Sequence, residues 1–298
     1  MVQIITDSCA DLTVAQLEKY GIDYAKMMTV CGGVERVAAL EWSPDEVHAH
    51  YETMRRGERI TTAQVPIEEF ERIFELYLAK GMDIVYVGCS SKQSGSVHTG
   101  EMVSKWFEES YPERKIVCVD SLNASMGEGM LAIEAAKLAR AGKSAEEIGE
   151  MLLSMRKRVN QYVTVHSLDA LARAGRLKST SAFFGNLIGV KPILISDANG
   201  YQVAYKKVKG RGKSLSELVS LLKESIVAPE EQTLYLTHAD CSPEEIERLV
   251  SLLKSEIPCK DVEIGYIGPI IGASIGPDAI GIWGFGSEVT HGAEGSSK

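Results

Sequence analysis

The side chains best suited to chemistry in this sequence are hydroxyls, and they cluster at the ends of short apolar runs. Residues 2–6 (VQIIT) are followed by Asp7 and Ser8, residues 83–88 (DIVYVG) by 89–96 (CSSKQSGS), and residues 115–119 (KIVCV) by 120–125 (DSLNAS). Thr61 and Thr62 stand just before Pro66 and a helical pattern. If the runs are parallel strands, these loops open on one sheet edge, where helix N-termini offer free N–H groups and a favourable dipole to an anion. Helix capping accounts equally well for Asp7 and Ser121. It accounts less well for 89–96, because one cap needs one side chain. Hydroxyl donors gripping an anion are the chemistry these loops suggest.

Other chemistries find less support. Ser94 sits in QSGS, without a GxSxG elbow, and His98 follows four residues later with no acid to pair with it. A hydroxyl without a base is a hydrogen-bond donor, so no catalytic residue is assigned. Gly95, Gly127 and Gly129 complete no GxGxxG after the first run, and no GxxxxGK[ST] occurs, so close helix–sheet packing is their expected role. The cysteines at 9, 31, 89, 118, 241 and 259 form no CxxC pair and none stands beside a histidine at ligand spacing. Neither a metal nor a cofactor is expected on that basis. Two basic sites remain. Gly175-Arg176 ends a short helix begun near Ser167, and 206–213 (KKVKGRGK) resembles a solvated strand end. Either could face an anionic headgroup or an acidic partner.

The elements that must position these residues follow from pattern. Short apolar runs alternate with helices over the first half, including 43–46 (SPDE) as a capping box with proline at N1, 67–80 ending at Gly81, 96–110, and 126–140 ending near Gly142. This predicts an α/β fold with a doubly wound, mostly parallel sheet. The second half has strands at 162–166 and 192–196, a turn at 197–200 (DANG) with positive φ expected at Asn and Gly, and a return strand at 201–208. Helices at 214–226 and 243–257 precede strands at 233–237 and 262–267, an α+β layered sandwich. The expected division is 1–158, 159–288, and a flexible tail at 289–298. With 298 residues, 45% hydrophobic and 24% charged, the chain can build two cores. Its 32 basic against 41 acidic residues argue against nucleic acid. Charge at Asp7 precludes a signal-peptide core, and the apolar stretch 264–285 is broken by glycines, prolines and Asp278, so no stable membrane insertion is expected. Six scattered thiols suit a cytoplasmic protein.

Seven segments in order resemble the DegV family of bacterial fatty-acid-binding proteins, which includes the FakB subunits of fatty acid kinases. ITDSCADL (5–12) resembles TDSxxDL, ITTAQVP (60–66) resembles TSQPS, and CSSKQSGS (89–96) resembles SSxLSGT. VDSLNASMGEG (119–129) resembles DSxxxSxGxG, and LARAGRL (171–177) resembles LxxGGRI. KPIL (191–194) matches, and IGPIIGASIGPDAIGI (267–282) resembles IGPVIGAHTGPGALGL. The resemblance implies a DegV-like fold and a long-chain fatty acid such as palmitate, stearate or oleate. It places the carboxylate on the hydroxyls of Thr62 and Ser94 and the tail in an apolar slot of the second domain. It implies headgroup or partner contacts at Gly95, Ser121, Arg176, Arg211 and Ser274, with Phe183, Phe184, Leu187, Ile188, Ile193 and Ile271 as tail-lining candidates. It also implies a non-catalytic protein that presents its ligand to a fatty acid kinase catalytic subunit. Ser274 replaces the family's histidine, which sets that presentation in question. The alternative from the residues alone is an enzyme acting on a small anionic metabolite in the strand-end crevice.

Overall fold

Strands whose two faces are both apolar must be covered on both sides, and the first unit of the chain does this with five helices. The computed structural model describes residues 1–178 and 189–293. Within it, β1 (Val2–Asp7), β2 (Ile22–Ala25), β6 (Asp83–Gly88) and β7 (Ile116–Asp120) form a sheet of order β2-β1-β6-β7, parallel throughout. Helices α3 (Ile67–Leu78) and α4 (Ser96–Trp106) pack together on β6, and α5 (Met126–Arg140) and α6 (Ala145–Met155) form a second pair on it. Helix α1 (Val14–Tyr20) joins α5; its cap is Thr13, so the expected capping role of Asp7 and Ser8 is not the one observed. A second, antiparallel sheet of β4 (Val34–Ala38), β3 (Met27–Cys31) and β5 (Ile60–Ala63) turns at Gly32-Gly33, both with positive φ. The sequence reading passed over it because β4 is largely exposed and offers no apolar face.

The second unit is built on a mixed sheet. Its order is β10 (Gln202–Lys209), β9 (Val190–Ser196), β8 (Val159–Thr164), β13 (Ile280–Phe285), β11 (Thr233–His238), β12 (Asp261–Tyr266). Only β11–β12 is parallel. Helices α8 (Arg211–Ser225) and α9 (Pro243–Glu256) bury Leu215, Leu218, Leu222, Leu249 and Leu253 against Leu234, Leu236, Ile280 and Ile282. The stretch 264–285 supplies the end of β12, α10 (Pro269–Ile275) and β13, and no helix among the described residues is long and apolar enough to cross a membrane.

Several boundaries differ from expectation. The unit that holds the parallel sheet comprises Met1–Glu41, Ile60–Lys157 and Gly268–Ile270, so 1–158 is not one continuous body. Helix α2 (Pro44–Arg55) belongs to the second unit, where Arg55 donates to Asp240 and Asp278 at 2.6 Å each and the Tyr51 hydroxyl donates to the Ile267 carbonyl at 2.6 Å. Helix α8 starts at Arg211, not Ser214, because Gly210 takes φ 90 and turns the chain directly out of β10. In the 197–200 turn only Gly200 has positive φ, while Asp197 accepts from the N–H groups of Asn199 and Tyr201. Residues 289–293 are held, since Ala198 N–H donates to the His291 carbonyl at 2.8 Å and the Asn199 amide to the Gly292 carbonyl at 2.7 Å. Residues 294–298 of the expected tail lie outside the described residues.

Gly129 shows why α5 lies so close to β1: a Cβ there would stand 2.5 Å from the Ala10 carbonyl oxygen and 2.9 Å from Leu12. Backbone cannot yield as a flexible side chain can. Gly129→Ala is expected to cost about 1–3 kcal/mol, measured as a lower urea midpoint at unchanged slope; an unaltered midpoint would mean that α5 lifts from β1 freely.

Candidate functional site

Asp7 ends β1 with its carboxylate fully buried, and it spends that carboxylate on the neighbouring loops. Oδ1 accepts from Cys9 N–H at 2.9 Å, while Oδ2 accepts from the Tyr86 hydroxyl at 2.7 Å and from Cys89 N–H at 3.2 Å. Burial pushes its pKa up, and these donors oppose the rise. Cys89 opens the hydroxyl-rich loop, so Asp7 fixes where that loop leaves β6. A second carboxylate completes the frame. Asp120 Oδ1 accepts from Ser91 N–H at 3.2 Å and Leu122 N–H at 2.9 Å, and Ser90 N–H donates to the Asn123 carbonyl at 2.8 Å. The loops after β1, β6 and β7 are thus cross-braced by backbone donors.

The hydroxyls on this frame are unequal. Ser96 is buried, and its Oγ accepts from Val65 N–H at 3.2 Å and lies 2.9 Å from Ser94 Oγ. Ser94 Oγ also accepts from Ser96 N–H at 3.2 Å. A hydroxyl has one proton to give. With Ser96 donating to Ser94, the half-buried Ser94 keeps its own proton for an outside acceptor. Thr62 lies opposite Thr29 in the β3–β5 ladder, is half-buried, and its hydroxyl makes no hydrogen bond among the described residues. The two segments are clasped just beyond Thr62. Val65 donates to Ser96, and the Gln64 amide donates to Thr99 Oγ1 at 2.8 Å while its Oε1 lies over Gly95, where a Cβ would come within 2.0 Å. Gly95 is there because Gln64 needs the space.

The chain as a whole matches known proteins. The family model described as "Uncharacterised protein, DegV family" matches residues 1–285. The chain belongs to the DegV family. A DegV domain-containing protein of Clostridium perfringens is 34% identical over 283 residues, covering 95% of this chain and 97% of that protein. Among solved DegV structures, the fatty acid binding protein of Bacillus subtilis is 28% identical with a TM-score of 0.82, covering 95% of this chain and 99% of that one. The fatty-acid-binding DegV protein of Thermus thermophilus is 25% identical with a TM-score of 0.84, covering 96% and 99%. The DegV lipid binding protein of Thermotoga maritima is 27% identical with a TM-score of 0.83, covering 97% and 99%.

The remaining DegV positions divide between structural work and exposure. Ser121 is fully buried, its hydroxyl donating to the Asn123 carbonyl at 2.9 Å and accepting from Asn123 N–H at 3.1 Å, which commits it to its own loop. Arg176 follows α7 (Asp169–Ala174) and the left-handed Gly175 (φ 69); it is exposed and donates to the Ala174 carbonyl. Arg211 forms a two-pronged pair with Glu245 at 2.7 and 3.0 Å and donates to the Asp278 carbonyl at 2.7 Å. Its Nη1 is buried without a hydrogen-bond partner among the described residues. Ser274 is half-buried on α10, as is Ile271. Ile193 is fully buried in the core beneath α8, so it fills the sheet–helix layer and does not line a slot. Phe183, Phe184, Leu187 and Ile188 lie outside the described residues. His166, which the sequence reading did not single out, feels Lys191 and Arg211; burial and these cations lower its pKa.

Sequence reasoning also gave no role to Asp11, although it stands in the TDSxxDL-like segment. It is fully buried, with positive φ, accepts from Gly268 N–H at 2.7 Å and from the Ser125 hydroxyl, and burial raises its pKa to about 7. Only tertiary placement creates that shift. A folded-state pKa above the unfolded 3.8 means that the folded chain holds a proton the unfolded chain has lost. The resulting stability is full below about pH 4 and disappears as pH rises through about 7. Asp11→Asn keeps an acceptor for Gly268 and a donor for Ser125. Its stability should decline less steeply than the parent's between about pH 4 and about pH 7, the difference reaching on the order of 1 kcal/mol per pH unit. Urea unfolding across that range decides, and parallel pH profiles would refute the assignment.

Proposed function

We propose that this chain holds one long-chain fatty acid, such as palmitate, stearate or oleate, with the carboxylate on the hydroxyls of Thr62 and Ser94 and the acyl tail in an apolar slot. The observation that carries this reading is the hydroxyl arithmetic of the β6–α4 loop. Ser96 takes the Val65 N–H and lies 2.9 Å from Ser94, and when Ser96 gives its proton to Ser94 the proton of Ser94 is free to meet an anion. Thr62, clasped alongside through Gln64 and Val65, supplies a second uncommitted hydroxyl. Fatty acid binding by the DegV proteins of Bacillus subtilis and Thermus thermophilus supports the identity of the anion.

The magnitudes divide the labour. Burying about fourteen methylenes at about 0.8 kcal/mol each gives about 11 kcal/mol before association costs. Two hydroxyl bonds to a carboxylate add about 3–6 kcal/mol at most. The slot sets affinity, and the hydroxyls set which end enters. A binding role, not turnover, agrees with the partners of Ser94, which are Ser90 and Ser96 and include no base. Presentation of the acid to a kinase subunit belongs to the same proposal. Ser274 is the residue that bears on it, because a hydroxyl cannot carry positive charge beside an acyl phosphate as an imidazole can.

Protein purified from a bacterial host and denatured should release one acyl chain per polypeptide by mass spectrometry. Ser94→Ala should weaken oleate binding by about 10- to 150-fold, the worth of one hydrogen bond to a charged group. The methyl ester should bind less tightly than the acid. Recovery of no acyl chain together with no uptake of labelled palmitate or oleate would reject the reading, and equal affinity for acid and ester would reject the carboxylate assignment. Tight binding of a small anionic metabolite instead would restore the enzyme reading.

A further inference from the structure

Beneath the hydroxyl loop lies a cluster that ligand binding does not use. Cys9 follows β1, Cys89 follows β6, and Glu128 stands in the first turn of α5. Their ligand atoms lie within 4.8 Å of one another, although 80 and 39 residues separate them in sequence (89 − 9 and 128 − 89). All three are at most 2% exposed. Two of the three contributors sit where the family pattern is open. Cys9 occupies a variable place in the TDSxxDL-like segment, and Cys89 immediately precedes the serines of the next one.

The hydrogen bonding of Glu128 is what marks this cluster as unfinished. Thr6 Oγ1 lies 2.9 Å from the Val87 carbonyl and 2.8 Å from Glu128 Oε1. The carbonyl can only accept, so the single Thr6 proton belongs there and Glu128 supplies the proton of the second bond. The other oxygen, Oε2, is buried with no close hydrogen-bond partner among the described residues, the Asp7 N–H being the backbone donor that faces the carboxylate. Cys9 Sγ lies 3.5 Å from the Met27 thioether and also interacts with Cys89 and the Asp7 carboxylate. An orphan carboxylate oxygen beside two thiols is a costly arrangement unless something else satisfies it.

We propose that Cys9 Sγ, Cys89 Sγ and the Glu128 carboxylate form a structural site for zinc. Two sulfurs and the two oxygens of the Glu128 carboxylate can supply the four donors of a distorted tetrahedral zinc site. Zn–S bonds of about 2.3 Å in a tetrahedron put donor atoms about 3.8 Å apart. Donors already within 4.8 Å therefore need to close by about 1 Å or less. Binding is a proton exchange without redox change. The cation replaces the protons of Cys9, Cys89 and Glu128, and about three protons leave for each ion bound. The titratable groups facing the site are Asp7 on β1, Tyr86 on β6 and Glu128 on α5, with the two thiols themselves. The negative charge of Asp7 favours a cation. Because Cys89 opens the loop that carries Ser94, an ion here would pin that loop to β1 and α5. The proposal stands independently of which anion Ser94 holds.

Cobalt is the probe, because its thiolate charge-transfer band reports sulfur ligation directly. The intact chain, stripped with chelator and titrated with Co2+, should develop that band at one ion per polypeptide. That loading should release about three protons per ion, and zinc should then abolish the band by displacing cobalt with no further proton release. Cys9→Ser and Cys89→Ser should each weaken binding by about 100-fold or more, and Glu128→Gln should weaken it while retaining the band. Absence of a thiolate band in the parent protein would overturn the site, even where a cysteine variant fails to fold. So would stoichiometric binding that survives both cysteine substitutions and is lost in His48→Ala. That result would move the ion to the exposed group His48, Glu52 and Asp240, whose Asp240 is already paired with Arg55 at 2.6 Å.

Discussion

A carboxylate removed from water has to be met by donors, and the structure around the candidate site is organised by that requirement. Asp7 ends a buried strand, so its oxygens can be satisfied only by what the next elements bring. They bring Cys9 N–H, the Tyr86 hydroxyl and Cys89 N–H. The two backbone bonds fix the starts of loops, and the Tyr86 hydroxyl ties Asp7 to β6. Asp120 repeats the device one strand further along, accepting from Ser91 and Leu122. The loop that carries Ser94 is therefore positioned by its backbone, which leaves its side-chain hydroxyls for other work.

That separation matters for recognition. A hydroxyl that also held its own loop would have to break a bond to grip an anion. Ser121 is in that state, with its hydroxyl tied to Asn123 on both sides. Ser94 only accepts from its own loop, at Ser96 N–H, so its proton is available to an anion when Ser96 is the donor of the hydroxyl pair. Gln64 adds a lateral clasp by lying over Gly95 and reaching Thr99, so β5 and the start of α4 are held together without using Thr62. Donors held in place before the ligand arrives lose little freedom when it binds.

The same sheet edge stores unusual electrostatics. Asp7, Asp11 and Glu128 are all fully buried, and burial raises the pKa of each. For Glu128 the nearby charge of Asp7 pushes in the same direction, so it keeps its proton. Ser125, which binds Asp11, takes φ 55 and ψ −147, a region strained for any residue with a side chain. Strain and buried acids together cost stability, and Asp7, Asp11, Ser125 and Glu128 gather them around β1 and the start of α5. The second unit shows the opposite economy, since the Arg211–Glu245 pair neutralises its buried charge and Ile193 merely fills the layer beneath α8.

Much of this was legible in the residues themselves. Apolar runs with hydroxyl-rich ends specified a parallel sheet and its candidate edge, because a strand buried on both faces has a composition that little else shares. The α2 capping box and the left-handed glycines at 81 and 175 mark their helix ends, since such signals act over four or five residues. Family-like segments pointed to Thr62 and Ser94. What no local pattern contained was proximity. That Ser96 would relieve Ser94, that Gln64 would need Gly95 bare, or that Cys9, Cys89 and Glu128 would meet depends on contacts across tens of residues. The proton on Asp11, the withdrawal of Arg211 into an ion pair and the transfer of α2 to the second unit were likewise decided only by tertiary structure. Burial and partner choice are properties of the folded surroundings, and a residue's type fixes only which partners it can accept.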